Sequence, residues 1–397
     1  MFQRTKDIQL STIKQVELEA SKYPDVVSLA QGIPSFDTPE HIKRRVENAL
    51  KRGVVAKYSL SPGLPQLREL IELSLEKEGM YYNWQKEIVV TAGAIEAITA
   101  TLMTITEPGD EVIIPEPTYT SYKEVIKLAG CTPVFVPLDE KNNWGFDIET
   151  YRNAITDRTK AIFYCNPNNP TGTIYTKEQL LQLGELAQKN NLFLISDEVY
   201  KDFVFNGDQI FSLAEVPELR KHIIRIFSFS KAFAMTGWRV GYLHSDESLV
   251  QEILKVHDCL VTCAPAISQY AAMGAMEMGD LDRHRLFEDY RTRKELIEKR
   301  LKTLSHVFDF VTPKGAYYIF PRILPSVAEK YDLDILTDNG EIDSWKFTMW
   351  LLENTQVAVV PGIAFGPSGE GHIRMNFGRD PEVINKAFDR LDNIFSN

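Results

Sequence analysis

Cysteine and histidine are scarce in this sequence. Its 397 residues include four Cys and seven His. The cysteines, at positions 131, 165, 259 and 263, show neither a C-x-x-C pair nor the spacing of a disulfide framework. We therefore expect free thiols in a reducing cytoplasm. No histidines stand in H-x-x-H or H-E-x-x-H spacing, which argues against a zinc site.

Long hydrophobic runs and an excess of positive charge are also missing. No apolar run approaches the roughly 18–20 residues of a membrane span, and the N-terminus lacks the apolar core of a secretory signal. The 44 Lys and Arg residues against 55 Asp and Glu give a formal charge of −11, which argues against nucleic-acid binding. We expect a cytoplasmic protein with neither a membrane nor a nucleic-acid partner.

Short apolar runs alternate with helical patterns from about residue 88 to about residue 245. Seven strands are predicted, at 87–91, 111–115, 132–138, 160–165, 192–197, 222–228 and 239–244. Helices are predicted at 94–106, 119–129, 147–155 and 177–190, with turns at 108–110 and 206–208. Apolar runs without polar alternation are typical of strands buried on both faces. The pattern predicts a three-layer α/β domain whose seven-stranded sheet is mostly parallel.

The last third of the chain has a different pattern. A long charged helix is predicted at 282–304, short strands at 316–322, 356–362 and 372–378, and further helices at 343–354 and 381–396. This indicates a smaller α+β domain. We expect a large domain at 41–285, a small domain at 286–397, and a segment at 1–40, without a strand signal of its own, that packs with the small domain.

The most informative stretch is SFSKAFAMTGWRVGY, residues 228–242. A lysine in apolar surroundings, here Lys231, has a lowered pKa, so its neutral amine becomes a usable nucleophile and base. The hydroxyls of Ser228 and Ser230 and the guanidinium of Arg239 suit a phosphate monoester. An amine that can form a Schiff base beside a phosphate site points to pyridoxal phosphate (PLP). A surface lysine with a structural arginine is the alternative.

Two predicted strands end in polar residues that suit a flat cationic ring. Asp197 closes an apolar run, with Tyr200 three residues later, and a buried carboxylate needs a partner such as a protonated pyridine nitrogen. Asn169 lies in YCNPNNPTG, where the prolines demand a fixed extended turn. For Asp197 a helix cap is the alternative, and for the Asn169 segment a purely structural turn.

Three further candidate sites give weaker evidence of cofactor binding when each is taken alone. Gly93 permits a tight turn before a predicted helix, whose first N–H groups, at Ala94 and Ile95, form an anion site. Tyr119 opens the next predicted helix and either stacks on a flat ring or packs in the core. Tyr58 precedes a Pro/Gly loop and either fixes that loop or reaches a phosphate.

Arg374, in the predicted strand GHIRMNFG, points inward by alternation. A buried arginine needs an anion. A substrate carboxylate bound through both guanidinium arms is the natural partner, and a structural ion pair with an acidic residue is the alternative.

Together these residues resemble the class I and II aminotransferases of PLP fold type I. The resemblance runs from SLAQGIPSFDTPEHI to the final helix, and NPNNPTG, SDEVY, KGAYYIF and IRMNFG follow in the family's order. It implies that Lys231 carries the Schiff base with PLP and moves the substrate proton. It further implies that Asp197 pairs with the pyridinium nitrogen, and that Tyr200 and Asn169 hold the phenolate oxygen.

The resemblance also implies roles for the remaining positions. Tyr119 stacks on the ring, and the phosphate is bound by Ser228, Ser230, Arg239 and the backbone at Gly93, Ala94 and Ile95. Tyr58 reaches the phosphate of the neighbouring subunit, which implies a homodimer with shared active sites. Arg374 binds the substrate carboxylate, with the backbone of Gly32 and Ile33 on its other side.

The resemblance leaves the substrate open. Some aspartate-specialised members place a lysine where this chain has Ile95. We expect a ping-pong aminotransferase that moves the amino group of an aromatic or other sizeable apolar L-amino acid to a 2-oxo acid such as 2-oxoglutarate, with aspartate as a further donor to be tested. Other residues expected near the substrate are Phe36, Tyr23, Trp144 and Tyr317.

Three other functions are compatible with parts of this pattern. A C–S β-lyase on the same fold would keep every cofactor residue. A PLP-sensing regulator would need an N-terminal DNA-binding domain, whereas here the resemblance begins within the first 30 residues and the charge is acidic. A Rossmann dehydrogenase would need a G-x-G-x-x-G motif after one of the first strands, which the sequence lacks.

Overall fold

The computed structural model describes residues 5–205 and 210–395. The turn predicted at 206–208 lies outside these ranges, as does residue 396 of the last predicted helix. The α-helices of the described residues are α1 (Thr12–Ala20), α2 (Glu40–Lys51), α3 (Pro65–Lys77), α4 (Ala94–Ile105), α5 (Ser121–Leu128), α6 (Ile148–Ala154), α7 (Lys177–Lys189), α8 (Phe229–Ala232), α9 (Glu247–Val261), α10 (Ala266–Met276), α11 (Asp280–Thr303), α12 (Ser326–Lys330), α13 (Ser344–Thr355) and α14 (Pro381–Phe395).

The β-strands of the described residues are β1 (Val27–Ser28), β2 (Ile88–Thr91), β3 (Glu111–Glu116), β4 (Thr132–Pro137), β5 (Thr159–Cys165), β6 (Phe193–Asp197), β7 (Ile223–Ser228), β8 (Gly241–His244), β9 (Phe308–Asp309), β10 (Tyr318–Ile319), β11 (Arg322–Ile323), β12 (Val357–Ala358), β13 (Val360–Pro361) and β14 (Ile373–Asn376).

Seven strands form the central sheet, in the order β2-β8-β7-β6-β5-β3-β4. The predicted mostly parallel sheet is confirmed: β8 runs antiparallel to both of its neighbours, and the other pairs are parallel. Every residue of β2, β3, β7 and β8 is buried. Helices cover the sheet and exclude water from it, which is why these strands are mostly apolar. Their few charged or polar members, such as Glu111 and Arg225, are buried with hydrogen-bonding partners.

Several helices lie outside the predicted alternation. The sequence pattern did not predict α2, α3, α9 and α10. Of these, α3 and α9 contact β2, and α10 packs on α2 and α3. In α10, residues on nearly all sides of the helix are buried. A helix without a polar face gives no clear 3.6-residue period, so α10 is difficult to predict from hydrophobicity alone.

The C-terminal third contains three small sheets. β13, β14 and β10 form an antiparallel sheet, β9 pairs with β11, and β1 pairs in parallel with β12. Residues 1–40 show no strand signal in the sequence, yet β1 uses two residues of that segment, because two residues are too few to show a period. The single strand predicted at 316–322 is also divided, into β10 and β11, at Phe320 and Pro321.

The central sheet brings the polar residues of the sequence motifs to one edge. Asp197 ends β6, Ser228 ends β7, and Asn169 follows β5, so all three lie at the carboxyl ends of neighbouring parallel strands. Ligands of open α/β sheets bind at this edge. Among the described helices, none has the length and apolar character needed to cross a membrane.

Candidate active site

A cavity of about 370 Å³ opens at the carboxyl ends of the central strands. It is lined by most of the residues predicted from the sequence: Gly32, Ile33, Ala94, Ile95, Tyr119, Asn169, Asp197, Tyr200, Ser228, Ser230, Lys231, Arg239 and Arg374. Residues distant in sequence therefore meet in one site, although several of the predicted motifs were weak when taken alone.

Lys231 stands on the four-residue helix α8, directly after β7. Ser228 caps this helix: its Oγ accepts a hydrogen bond from the backbone N–H two residues on, at 3.2 Å. The Lys231 Nζ donates to the backbone carbonyl of Gly32 at 2.8 Å. Burial, followed by the positive charges of Arg374 and Arg239, lowers the pKa of the amine to about 8. The neutral, nucleophilic amine is therefore accessible near physiological pH.

Asp197 presents a buried carboxylate to the cavity. Its Oδ2 accepts from the hydroxyl of Tyr122 at 2.6 Å, and its Oδ1 accepts from the backbone N–H of Val199 at 3.1 Å. The residues that follow form a turn, so Asp197 does not cap a helix. Asp197 has no ion pair within the described residues, and burial raises the pKa of its carboxyl to about 6. A cationic group in the cavity would stabilise the carboxylate.

Arg374 is a buried guanidinium without an acidic partner in the described part of the chain. Its Nη1 donates to the Oδ1 of Asn169 at 3.0 Å and its Nη2 to the carbonyl of Ala30 at 2.6 Å, while its Nε has no hydrogen-bond partner. The guanidinium carbon lies 4.3 Å from the centroid of the Tyr318 ring. The structural ion pair considered as an alternative is therefore not found among the described residues, and the charge is left for an anion from outside the chain.

The bond from Arg374 also orients Asn169. Since the amide oxygen accepts from the guanidinium, the amide Nδ2 is left as a donor. The Tyr200 hydroxyl lies 3.0 Å from the Tyr318 hydroxyl, and both rings are buried. Asn169 and Tyr200 thus present two hydrogen-bonding groups to one cavity.

Positive charge and helix geometry combine at the start of α4. Gly93 precedes this helix with φ +86°, and a Cβ at this position would lie only 2.5 Å from Nη2 of Arg239. Glycine therefore lets the guanidinium approach the helix N-terminus, where the first N–H groups have no intrahelical partner. Ser228 and Ser230 line the same cavity. This donor set suits a phosphate group.

Tyr58 does not line the cavity of its own chain. Its side chain is 86% exposed, in a surface depression bordered by Cys263, Pro265 and Ile267. Its predicted contact with a phosphate therefore cannot be made within the single chain in this conformation.

The substrate-side prediction was partly wrong. Ile33 and Ile95 line the cavity, but Phe36, Tyr23, Trp144 and Tyr317 are not among the lining residues that the structure describes. Phe36 packs against Tyr290 and Trp144 against Phe320 and His372. The Tyr317 hydroxyl donates to the Gly32 carbonyl at 3.1 Å, whereas the next residue, Tyr318, faces the cavity.

Sequence reasoning missed several lining residues. Tyr122, on α5, follows Tyr119 by three residues, and this spacing within the predicted helix was the available signal for its contact with Asp197. The N-terminal segment contributes Ser11, Ile13, Lys14 and Glu17, which carry no motif. Within the described residues, no group of three or more His, Cys, Asp or Glu side chains could hold a metal ion.

Comparison with known proteins agrees with this geometry. The sequence family described as aminotransferase class I and II matches residues 24–391. The chain belongs to this family. The aminotransferase is 35% identical to an aspartate aminotransferase of Pyrococcus abyssi, over 99% of this chain and 98% of the relative. It is 34% identical to aromatic-amino-acid aminotransferase 2 of Thermococcus litoralis, over 98% of this chain and 97% of the relative.

Solved structures of aminotransferases share the fold of this chain. A crystal structure of an aromatic aminotransferase from Pyrococcus horikoshii superposes with a TM-score of 0.86 at 34% identity, over 96% of this chain and 98% of that chain. The fold is therefore PLP fold type I, and the protein is a PLP-dependent transaminase.

The cavity fits PLP by the chemistry of its donors. It offers an amine with a lowered pKa at Lys231 and a buried carboxylate without a cationic partner at Asp197. It also offers a helix N-terminus beside Arg239 for a phosphate group. An aldehyde, a protonated ring nitrogen and a phosphate monoester are the three groups that PLP would bring to these residues.

Proposed function

We propose that this aminotransferase takes its amino group from aromatic or other sizeable apolar L-amino acids and passes it to a 2-oxo acid such as 2-oxoglutarate. The observation that carries the proposal is the apolar wall of the cavity, formed by Ile13, Ile33, Ile95 and Ile98. Such a wall favours burial of an apolar side chain. Relatives named for aspartate and for aromatic amino acids are equally similar, so overall identity does not decide the donor.

The residue roles in this proposal follow from the contacts described above. PLP, when bound, supplies an electron sink for the substrate carbon that loses its proton. Asp197 would face the ring nitrogen, Tyr119 the ring, and Tyr200 with Asn169 the phenolate oxygen. The phosphate would be held by Ser228, Ser230, Arg239 and the backbone at Gly93, Ala94 and Ile95.

Lys231 and Arg374 would act on the substrate itself. The Arg374 guanidinium binds and orients the α-carboxylate, with the backbone of Gly32 and Ile33 alongside. The neutral Lys231 amine then accepts the Cα proton as a general base and returns it one step later as a general acid. The low pKa of this amine supports both roles, because it holds and releases a proton near neutral pH.

The donor class can be tested with single amino acids and no oxo acid. We expect phenylalanine and methionine to convert the PLP absorbance of the purified holoenzyme to that of pyridoxamine phosphate faster than aspartate does, because Ile95 offers no charge to a second carboxylate. Stopped-flow absorbance gives kcat/KM for each half-reaction. A value for aspartate well above those for phenylalanine and methionine would contradict the proposed donor class. With cystine, which carries a sulfur leaving group on Cβ, sustained release of ammonia and pyruvate would instead indicate β-lyase chemistry.

We further propose a homodimer in which Tyr58 completes the phosphate site of its partner. Tyr58 stands close in sequence to two other exposed apolar residues, Val54 and Leu60, and borders a surface depression with Pro265 and Ile267. Exposed apolar side chains beside such a depression suit an interface. A reducing cytoplasmic setting is also proposed, since all four cysteines are free thiols and three of them are buried.

Mixed dimers test the shared site. A dimer of one Lys231→Ala chain and one Tyr58→Ala chain should retain a single normal site, because the intact Lys231 would receive Tyr58 from the other chain. We expect this hybrid to bind PLP at that site with wild-type affinity, whereas the Tyr58→Ala homodimer binds about 10-fold more weakly after losing a hydrogen bond to a charged group. A hybrid as weak as the Tyr58→Ala homodimer would show that Tyr58 acts within its own chain, and a Tyr58→Ala homodimer with wild-type affinity would show that Tyr58 has no role at the phosphate.

A further inference from the structure

The helix α1 contributes a charged pair to the mouth of the active-site cavity. Lys14 and Glu17 both line the cavity, and the Lys14 Nζ donates to Oε2 of Glu17 at 2.7 Å. The segment is tied to the start of α5, because the Ser11 and Thr120 hydroxyls lie 3.2 Å apart. No sequence motif pointed to this pair, and none of the roles proposed above uses it.

Lys14 is the one cation of the described cavity lining that has no role yet. The other three are Lys231, Arg239 and Arg374, whose proposed ligands are the cofactor carbonyl, the phosphate and the α-carboxylate. The side chain of Lys14 is mostly exposed. Exposed pairs three residues apart on a helix are weak, so the ammonium can exchange Glu17 for another carboxylate at little cost.

A ping-pong transaminase must admit two substrates in turn to the same cavity. The proposed donor has one carboxylate, whereas 2-oxoglutarate has two. The cavity must therefore accept the distal carboxylate of 2-oxoglutarate beside the isoleucine side chains, but only in the half-reaction of the acceptor. A buried carboxylate without a partner is strongly disfavoured. A lysine has a flexible four-carbon stem, so it can bring its charge to the carboxylate and withdraw it again.

Resting on the function proposed above, we propose that Lys14 determines specificity for dicarboxylic substrates by binding their distal carboxylate. Glu17 holds the Lys14 ammonium at the cavity mouth while an apolar amino acid is bound. The ligand class is a 2-oxo dicarboxylic acid of the length of 2-oxoglutarate, whose second carboxylate points toward α1. The start of α4 offers this carboxylate no positive charge, because Ile95 is apolar. Lys14 supplies the charge from the N-terminal helix α1.

The test compares Lys14→Met, Glu17→Gln and a matched control in the PLP-loaded enzyme. The control is Lys22→Met, because Lys22 pairs with Glu19 at 2.5 Å at the same three-residue spacing and lies outside the cavity lining. Binding of glutarate, a dicarboxylate that cannot react, is measured by calorimetry. Half-reaction kinetics are measured with 2-oxoglutarate and with phenylalanine.

We expect Lys14→Met to weaken glutarate binding about 10-fold, as for loss of a hydrogen bond between charged groups. KM for 2-oxoglutarate should rise by a similar factor while kcat changes little. The selectivity for 2-oxoglutarate over phenylalanine should fall by at least about fivefold. Glu17→Gln should tighten glutarate binding by up to about threefold, since it removes the competing carboxylate. The difference between wild type and Lys14→Met should shrink in about 1 M NaCl, where the Debye length is about 3 Å.

Two results would separate failure of this inference from failure of the proposed function. Unchanged glutarate affinity in Lys14→Met, or equal losses for glutarate and phenylalanine, overturns the role of Lys14 while the wild-type enzyme still transaminates. A wild-type enzyme that converts neither phenylalanine nor 2-oxoglutarate overturns the proposed function itself.

Discussion

Replacing Lys231 by alanine should abolish transamination and the visible absorbance that PLP gains when it joins a protein amine. The variant loses the nucleophile that holds the cofactor and the base that moves the substrate proton, so we expect kcat/KM to fall by more than about 10⁴-fold. The wild-type apoprotein should capture PLP at a rate that rises with pH. The midpoint of this rise in capture rate should lie near pH 8, because burial lowers the pKa of the Lys231 amine to about 8.

The sign of this pH dependence follows from the reactive form. The neutral amine attacks, and it dominates above the pKa. At pH 7 about one tenth of the Lys231 amine is neutral, against about one in 3,000 for an unperturbed lysine. Lys255→Ala is the matched control, since Lys255 is an exposed lysine paired with Glu252 on α9. Turnover in Lys231→Ala, or a capture midpoint near the ordinary lysine value in the wild type, would contradict the assigned role.

The central sheet could be predicted from the sequence because its strands are short, apolar and buried on both faces. Each of the seven strands begins and ends within two residues of its predicted position. The small sheets of the C-terminal third were less predictable. β10, β11, β12 and β13 have two residues each, and their pairing depends on contacts with β14, β9 and β1 rather than on a period in the sequence.

Residues at the ends of predicted strands were the predictable part of the site. Asp197 and Ser228 stand where buried strands stop, and the fold places such positions at one edge of the sheet. Tyr317 and Tyr318 show where this reasoning failed. Both rings pack against Tyr200, but of the two only Tyr318 lines the cavity, and the sequence does not say which of the adjacent tyrosines does so. Lys14 could not be found at all, since only tertiary packing brings α1 to the cavity.

Replacing Asp197 by asparagine should keep the site intact while removing its charge. The amide Oδ1 can still accept from the Val199 N–H, and its Nδ2 can donate to the Tyr122 hydroxyl, which accepts as well as donates. The holoenzyme should therefore still bind PLP. Its kcat should fall by about 10²–10³-fold, because a preorganised charge opposite the ring nitrogen is lost from a buried site. Rapid-quench kinetics and exchange of the substrate Cα hydrogen measure this loss.

Without cofactor the same substitution should stabilise the protein. The folded-state pKa of Asp197 is raised to about 6 from a usual 3.8, so the folded protein binds this proton more tightly than the unfolded chain. The carboxylate therefore destabilises the fold progressively as pH rises from about 4 to 6, by up to about 3 kcal/mol above pH 6. Thermal unfolding of the apoprotein at pH 8 should show a higher Tm for Asp197→Asn than for wild type, with the difference vanishing near pH 4.

The control is Asp289→Asn, at an exposed position on α11, which should show no such gain in Tm. An apoprotein destabilised at pH 8 by Asp197→Asn would mean that the carboxylate has a cationic partner within the chain, and a holoenzyme with unchanged kcat would remove Asp197 from the reaction.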